Sequence, residues 1–218
     1  MIDKQLIAKT ADFMKSKFAK DPTGHDWWHL YRVWQLAKHI ASKEEGADML
    51  VVELSALLHD IEDHKIHGGN SEVGAIAARK WLQKNRANAT TTAHVENIVR
   101  HISFKSANAK NQLDTLEGWI VHDADKLDAM GAIGIARVLA FGGAHGRLIY
   151  SPDIPLIKDY TFEKTNVSNS TAIHHFYEKL LLLKDRMYTK TGRQMAIHRH
   201  KYMEEYLEEF YAEWDGKH

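Results

Sequence analysis

The chain has 218 residues, with 29 basic and 29 acidic side chains and a formal net charge of zero. That balance argues against a general nucleic-acid coat protein, because neutralising a phosphate backbone takes a Lys/Arg excess. Hydrophobic residues make up 44%, charged residues 27%, and Cys is absent, which describes an ordinary globular chain and excludes disulfides, thiolate nucleophiles, Fe–S clusters and Cys-ligated zinc. The length suits one domain. No run of about 18 apolar residues offers a membrane span, and the first residues read as a helix start rather than a signal peptide. A cytoplasmic protein is expected, without a membrane or a polymeric nucleic acid as partner.

Helical periodicity dominates, and only three prolines interrupt it. Residues 3–20 place Leu6, Ile7, Phe13, Met14 and Phe18 among Lys and Asp, an amphipathic first helix stopped by Asp21-Pro22-Thr23-Gly24. Residues 27–43 are apolar almost all round, with Trp27, Leu30, Tyr31, Trp34 and Ala37 on one stripe and Val33, Leu36 and Ile40 on another. Such a helix is expected in the centre of the core. Residues 48–61 carry Leu50, Leu54, Leu57, Leu58 and Ile61 at helical spacing. Further helices are predicted at 70–85, 91–103, 112–140 (broken near Gly131 or Gly134), 171–188 and 192–213.

Alternating strand patterns are nearly absent. The stretch 142–170 opens on Gly142-Gly143 and holds Pro152 and Pro155. It predicts an irregular loop or short hairpin, of a length that suits a lid. No linker or repeat divides the chain, so residues 1–218 are expected to form one all-α domain.

Chemistry concentrates in three segments. His59-Asp60 follows the apolar run Leu57-Leu58. A carboxylate near a buried helix end is costly unless it is paired or metal-bound, although the pair alone reads first as a capped helix end in a polar loop. His29 shares a stripe with Val33, Leu36 and Ile40, so it points into the core. Asp123, Asp125 and Asp128 lie among Ile120, Val121, Ala124, Leu127, Ala129 and Met130. The bland alternative there is a solvated face with Lys126 as counter-ion. His94 and His101 share one helix face but are about 10.5 Å apart along the axis, too far to ligate one ion.

Together these segments resemble the HD-domain metal-dependent phosphohydrolases, and within them the YpgQ/YedJ-like branch of bacterial nucleotide pyrophosphohydrolases. The resemblance is carried by His25-Asp26-Trp27-Trp28-His29, by Leu57-Leu58-His59-Asp60-Ile61 with Asp63 and Lys65, and by Ile102-Ser103-Phe104-Lys105. It continues in Asp123-Ala124-Asp125-Lys126-Leu127-Asp128-Ala129, in Gly131 to Arg137, and in His175-Phe176-Tyr177-Glu178-Lys179-Leu180-Leu181. It spans roughly residues 25–205 and implies an HD-type helical bundle.

It also implies one divalent metal ion on His29, His59, Asp60 and Asp125, with Asp123 competing for the last place. Two imidazoles and two carboxylates suit a borderline ion, Mn²⁺ first, with Mg²⁺, Co²⁺, Ni²⁺ and Zn²⁺ open. Asp63 would orient or deprotonate the attacking water, with Glu62 the runner-up. Arg32, Lys65 and Lys126 would neutralise phosphate, and His94, His101 and Lys184 would contact substrate. Asp26, Asp123 and Asp128 would hold the inner residues in place. The implied reaction turns a (deoxy)nucleoside triphosphate into its monophosphate and pyrophosphate. A nucleoside 5′-monophosphate phosphatase, a cyclic-nucleotide phosphodiesterase, a non-catalytic nucleotide-sensing module and a diiron oxygenase stand as alternatives, and a homodimer stays open.

Overall fold

The structure, a computed structural model, describes residues 2–19, 26–62, 72–102, 113–156 and 170–217. Among these residues it is all-helical, without a β-strand. The chain divides into two compact units, Met1–Ala124 and Asp125–His218. The predicted stop at Asp21 to Gly24 lies outside the described residues.

The first unit contains α1 (Ile2–Lys17), α2 (Trp27–Ala41), α3 (Met49–Leu58), α4 (Glu72–Lys84) and α5 (Ala89–Ile102), and α6 (Leu116–Asp128) begins in it. Helix α3 packs against α1, α2 and α5, while α4 pairs with α5. Between Val51 and His59 only Glu53 keeps partial exposure, and its carboxylate accepts the Trp34 indole N–H at 2.8 Å. Each buried leucine there contributes about 1.5–3 kcal/mol.

The central helix is therefore α3, and α2 is less enclosed than its composition predicts. Trp28 is 58% exposed and Tyr31 39%, packed edge-on with ring centroids 5.9 Å apart. Large aromatics can share a surface in this way, since each shields part of the other. Trp27 is buried, and Trp34 and Trp81 pack half-buried against the core. Thr91 of α5 lines one cleft with Leu6 and Leu50, so α3 and α5 start at the same end of the unit.

The second unit holds α7 (Gly131–Ala144), α8 (Ala172–Glu178), a 3₁₀ helix (Leu180–Arg186) and α9 (Lys190–Trp214). Helix α7 packs on α9 and α8, and the 3₁₀ helix packs on α8 and α9. The break expected in 112–140 falls at Gly131, with φ +68, while Gly134 stays within α7. The single helix expected at 171–188 is split at Lys179, where φ −143 leaves the helical region. Leu180 and Leu183, both buried, then share one edge of the 3₁₀ turn.

The irregular stretch predicted to open at Gly142 instead opens at His145. Helix α7 runs through Gly142-Gly143 and closes with Gly146 at φ +66, where Arg147 N–H donates to Gly142 O at 2.8 Å and Gly146 N–H to Gly143 O at 3.3 Å. No hairpin forms among the described residues here. The carbonyls of Leu148 and Ile149 accept from the Ala172 and Ile173 N–H groups at 3.0 Å each, which satisfies the otherwise unpaired first turn of α8. Residues 157–169 of that stretch lie outside the described set. No single described helix is long and apolar enough to cross a membrane.

Candidate metal centre

Helix ends deliver the site's side chains. Asp26 caps α2, its carboxylate accepting the His29 backbone N–H at 3.0 Å. It thus holds the His29 backbone, a narrower role than gripping a side chain. His29 itself is 2% exposed. His59 is the C-cap of α3. Its Nδ1 lies 2.8 Å from the Ala56 carbonyl, which can only accept, so Nδ1 carries the proton and Nε2 presents its lone pair.

That lone pair faces other donors. Asp60 Oδ2 lies 3.5 Å from His59 Nε2 and 3.6 Å from His29 Nε2. The two imidazole rings stand 5.4 Å apart and nearly perpendicular. Helix α6 runs unbroken from Ala124 into Asp125, and ligand atoms of His29, His59 and Asp125 all lie within 4.8 Å of one another. Two donor atoms each about 2.1 Å from a shared ion stand about 3–4.2 Å apart, depending on their angle. His29, His59 and Asp125, with Asp60 beside both imidazoles, form a group of donors that could hold a divalent cation.

Asp125, and not Asp123, brings an oxygen to this group. The two are 200° apart around α6 by helical geometry. Asp123 is fully buried, with Oδ1 3.2 Å from His122 Nδ1. Lys126 pairs with Asp125 Oδ2 at 3.0 Å, so the counter-ion role considered for it is real. Asp128, almost fully buried, accepts from Arg137 Nη1 at 2.8 Å. Sequence reasoning gave Arg137 no role; the two residues are nine positions apart, a spacing that brings no pair together within one helix.

Other predicted site residues are placed differently. His94 Nε2 lies 3.6 Å from Glu117 Oε2, and Glu117 Oε1 accepts the Asp48 N–H at 2.8 Å. Asp48 begins α3 and His59 ends it, so His94 stands about 15 Å from the centre and is not brought to it. His101 donates from Nδ1 to Asn97 O, 2.9 Å away on its own helix. Glu62 pairs with Lys17 of α1. Arg32 is half-buried on α2. Lys184 Nζ lies 3.3 Å from His200 Nε2. Asp63, Lys65 and the segment Ser103 to Lys105 lie outside the described residues.

In the second unit, His174 and His175 are neutral packing residues. Burial lowers the pKa of both and pushes His175 down to about 4, with Lys179 and Arg147 adding in the same direction.

Three comparisons with known proteins give the chain a family. The family model for the HD domain matches residues 27–130. The chain is 35% identical over 210 residues to YpgQ of Bacillus subtilis, covering 94% of this chain and 91% of that protein. Among solved structures it is similar to an HD-superfamily hydrolase from Bacillus thuringiensis, at 39% identity, with 98% of each chain covered and a TM-score of 0.76. It is also similar to Bacillus subtilis YpgQ in complex with ADP, at 32% identity in superposition, with 96% of this chain and 95% of that one covered and a TM-score of 0.76.

Proposed function

The chain belongs to the HD-domain family, in its YpgQ-like branch, and on that premise we propose that it is a divalent-metal-dependent hydrolase converting (deoxy)nucleoside triphosphates to monophosphates and pyrophosphate. One observation carries the reading: ligand atoms of His29, His59 and Asp125, from three separate segments, lie within 4.8 Å of one another, and Asp60 lies 3.6 and 3.5 Å from the two imidazoles. The chain is an HD-superfamily hydrolase by similarity along nearly its whole length, and the ADP complex of YpgQ supports a nucleotide as ligand.

The four residues would hold one ion, with Mn²⁺ favoured. When bound, such an ion polarises a phosphoryl oxygen and lowers the pKa of coordinated water. His59, its Nδ1 tied to the Ala56 carbonyl, has its ring held with Nε2 turned toward His29 and Asp60. Asp63, three residues beyond Asp60, would orient the attacking water and accept its proton. Lys126 would exchange part of its contact with Asp125 for the triphosphate, joined by Arg32, Lys65 and His101. His94 has no part in this set, because it sits at the far end of α3. We assign the activity to residues 1–218 as one functional domain, working in the cytoplasm where nucleoside triphosphates are made and used.

The test is a product assay. Metal-stripped protein reloaded with Mn²⁺ is incubated with dNTPs, NTPs and dNMPs, and pyrophosphate, phosphate and nucleoside are resolved. Pyrophosphate from triphosphates, lost in His59→Ala, is the expected result. Phosphate released from monophosphates would move the assignment to a nucleotidase, and no product with any divalent metal would overturn the hydrolase mechanism altogether.

A further inference from the structure

The last turn of α6 carries Asp125 and Lys126, and two arginines of the second unit grip the end of that turn. Arg199, in the middle of α9, donates from Nη1 to the Leu127 carbonyl. The same carbonyl accepts the Met130 N–H at 3.0 Å. Arg137 of α7 donates to the Asp128 carboxylate at 2.8 Å and reaches the Asp128 carbonyl at 3.3 Å. The chain then turns through Ala129 and Met130 and re-enters a helix at Gly131.

Gly131 is part of the same device. Its φ of +68 is a conformation that L side chains rarely adopt, and a Cβ there would lie 3.1 Å from Arg199 Cγ and 3.2 Å from Arg199 Cβ. The stem of Arg199 thus lies across the bare glycine on its way to Leu127. The last carbonyls of a helix have no partner within it, so the turn frays unless donors come from elsewhere. A guanidinium supplies them and also complements the negative end of the helix dipole. Burial lowers the Arg199 pKa while Asp128 opposes the shift; the side chain starts so far above neutral that it stays charged.

We propose that Arg199 is a positioning residue: by capping the last turn of α6 across Gly131, it holds the Asp125 carboxylate in place to meet a divalent cation. The inference rests on the metal-centre reading above. It assigns a task to a residue outside the ligand set, on a different helix and 74 positions away in the sequence by subtraction of their numbers.

The experiment measures Mn²⁺ affinity by titration calorimetry on the full, metal-free chain, with a thermal melt of each variant alongside. Arg199→Met keeps the stem against Gly131 and removes only the donor. It should remain folded and bind Mn²⁺ about 10-fold more weakly, the low end of the loss usual for residues that orient a ligand from behind. Arg199→Lys, which restores a donor at that position, should regain most of the affinity. At limiting Mn²⁺ the Met variant should lose kcat/KM in the same proportion, and at saturating Mn²⁺ recover it. A merely structural role would lower the melting temperature and leave the Mn²⁺ affinity of the folded protein untouched. An Arg199→Met affinity within twofold of the parent therefore overturns the inference. A parent chain that binds no Mn²⁺, Mg²⁺, Co²⁺, Ni²⁺ or Zn²⁺ overturns the metal-centre reading first, and the two failures are told apart by the parent alone.

Discussion

The two ends of helix α3 each gather a histidine and carboxylates, and they treat them in opposite ways. At the start, Asp48 accepts from the Leu50 and Val51 N–H groups at 2.9 and 3.3 Å, and Glu117 accepts the Asp48 N–H at 2.8 Å. Backbone donors at a helix N-terminus stabilise these acids, with His94 beside Glu117. At the other end the helix exposes carbonyls, and its dipole disfavours negative charge. There Asp60 meets two imidazoles at hydrogen-bond-exceeding distances of 3.5 and 3.6 Å. The same residue types make a structural tie at one end, and at the other a group of donors that could hold a cation.

The largest test of this contrast is His59→Ala. It should abolish metal binding and reduce turnover by about 10³-fold or more, by analogy with the loss of a main electrostatic stabiliser. Metal at a hundredfold over its Kd stabilises the parent by about 2.7 kcal/mol, and thermal melts should show that gain vanish in the variant. Glu117→Ala should do the reverse. It removes the acceptor of the Asp48 N–H and costs about 0.5–1.5 kcal/mol of stability, while the Mn²⁺ affinity stays within twofold. A metal affinity that collapses in Glu117→Ala would erase the distinction between the two ends.

Acid stability sharpens the comparison once a background is removed. The pKa of His175 is lowered in the folded state to about 4, so the unfolded chain binds the proton more readily. Its contribution is full above pH 6.5 and is lost as pH falls from 6.5 toward 4. Discounted for the ring's residual exposure, the loss is about 2 kcal/mol. His175→Gln should flatten that part of the stability profile in urea melts from pH 7 to 4, and an unchanged slope would assign it to other groups.

Two smaller effects complete the set. Asp26→Ala removes a helix cap and should cost about 1 kcal/mol. It should also loosen His29, so a modest fall in Mn²⁺ affinity is expected in calorimetry. Asp60→Asn should lose the metal yet leave the metal-free protein more stable at pH 8 by about 0.5 kcal/mol, because it removes a charge from the wrong end of a helix. The sign of that last change is the finest probe of the contrast.

Much of this was legible in the residues. The helices announced themselves through apolar spacing, and Leu57-Leu58 before His59-Asp60 placed the pair at a buried helix end. Burial in α2 was misread, because Trp28 and Tyr31 satisfy the same pattern whether a neighbour covers them or they cover each other. His94 and His101 look equivalent on one helix face, and only the packing of α5 beside α3 and the tie from Asp48 through Glu117 to His94 show that His94 belongs to the far end.

The sequence by itself determined the all-helical class, the family and the ligand types, since periodicity, capping residues and the spacing of His and Asp are local properties of the chain. The tertiary structure alone decided which of Asp123 and Asp125 reaches the two imidazoles, that Glu117 lies against His94, and that Arg199 and Arg137 meet the end of α6. Each of those outcomes depends on residues tens of positions apart, or on which way around a helix a side chain points once its neighbours are packed. A linear pattern leaves that rotation open until burial chooses it.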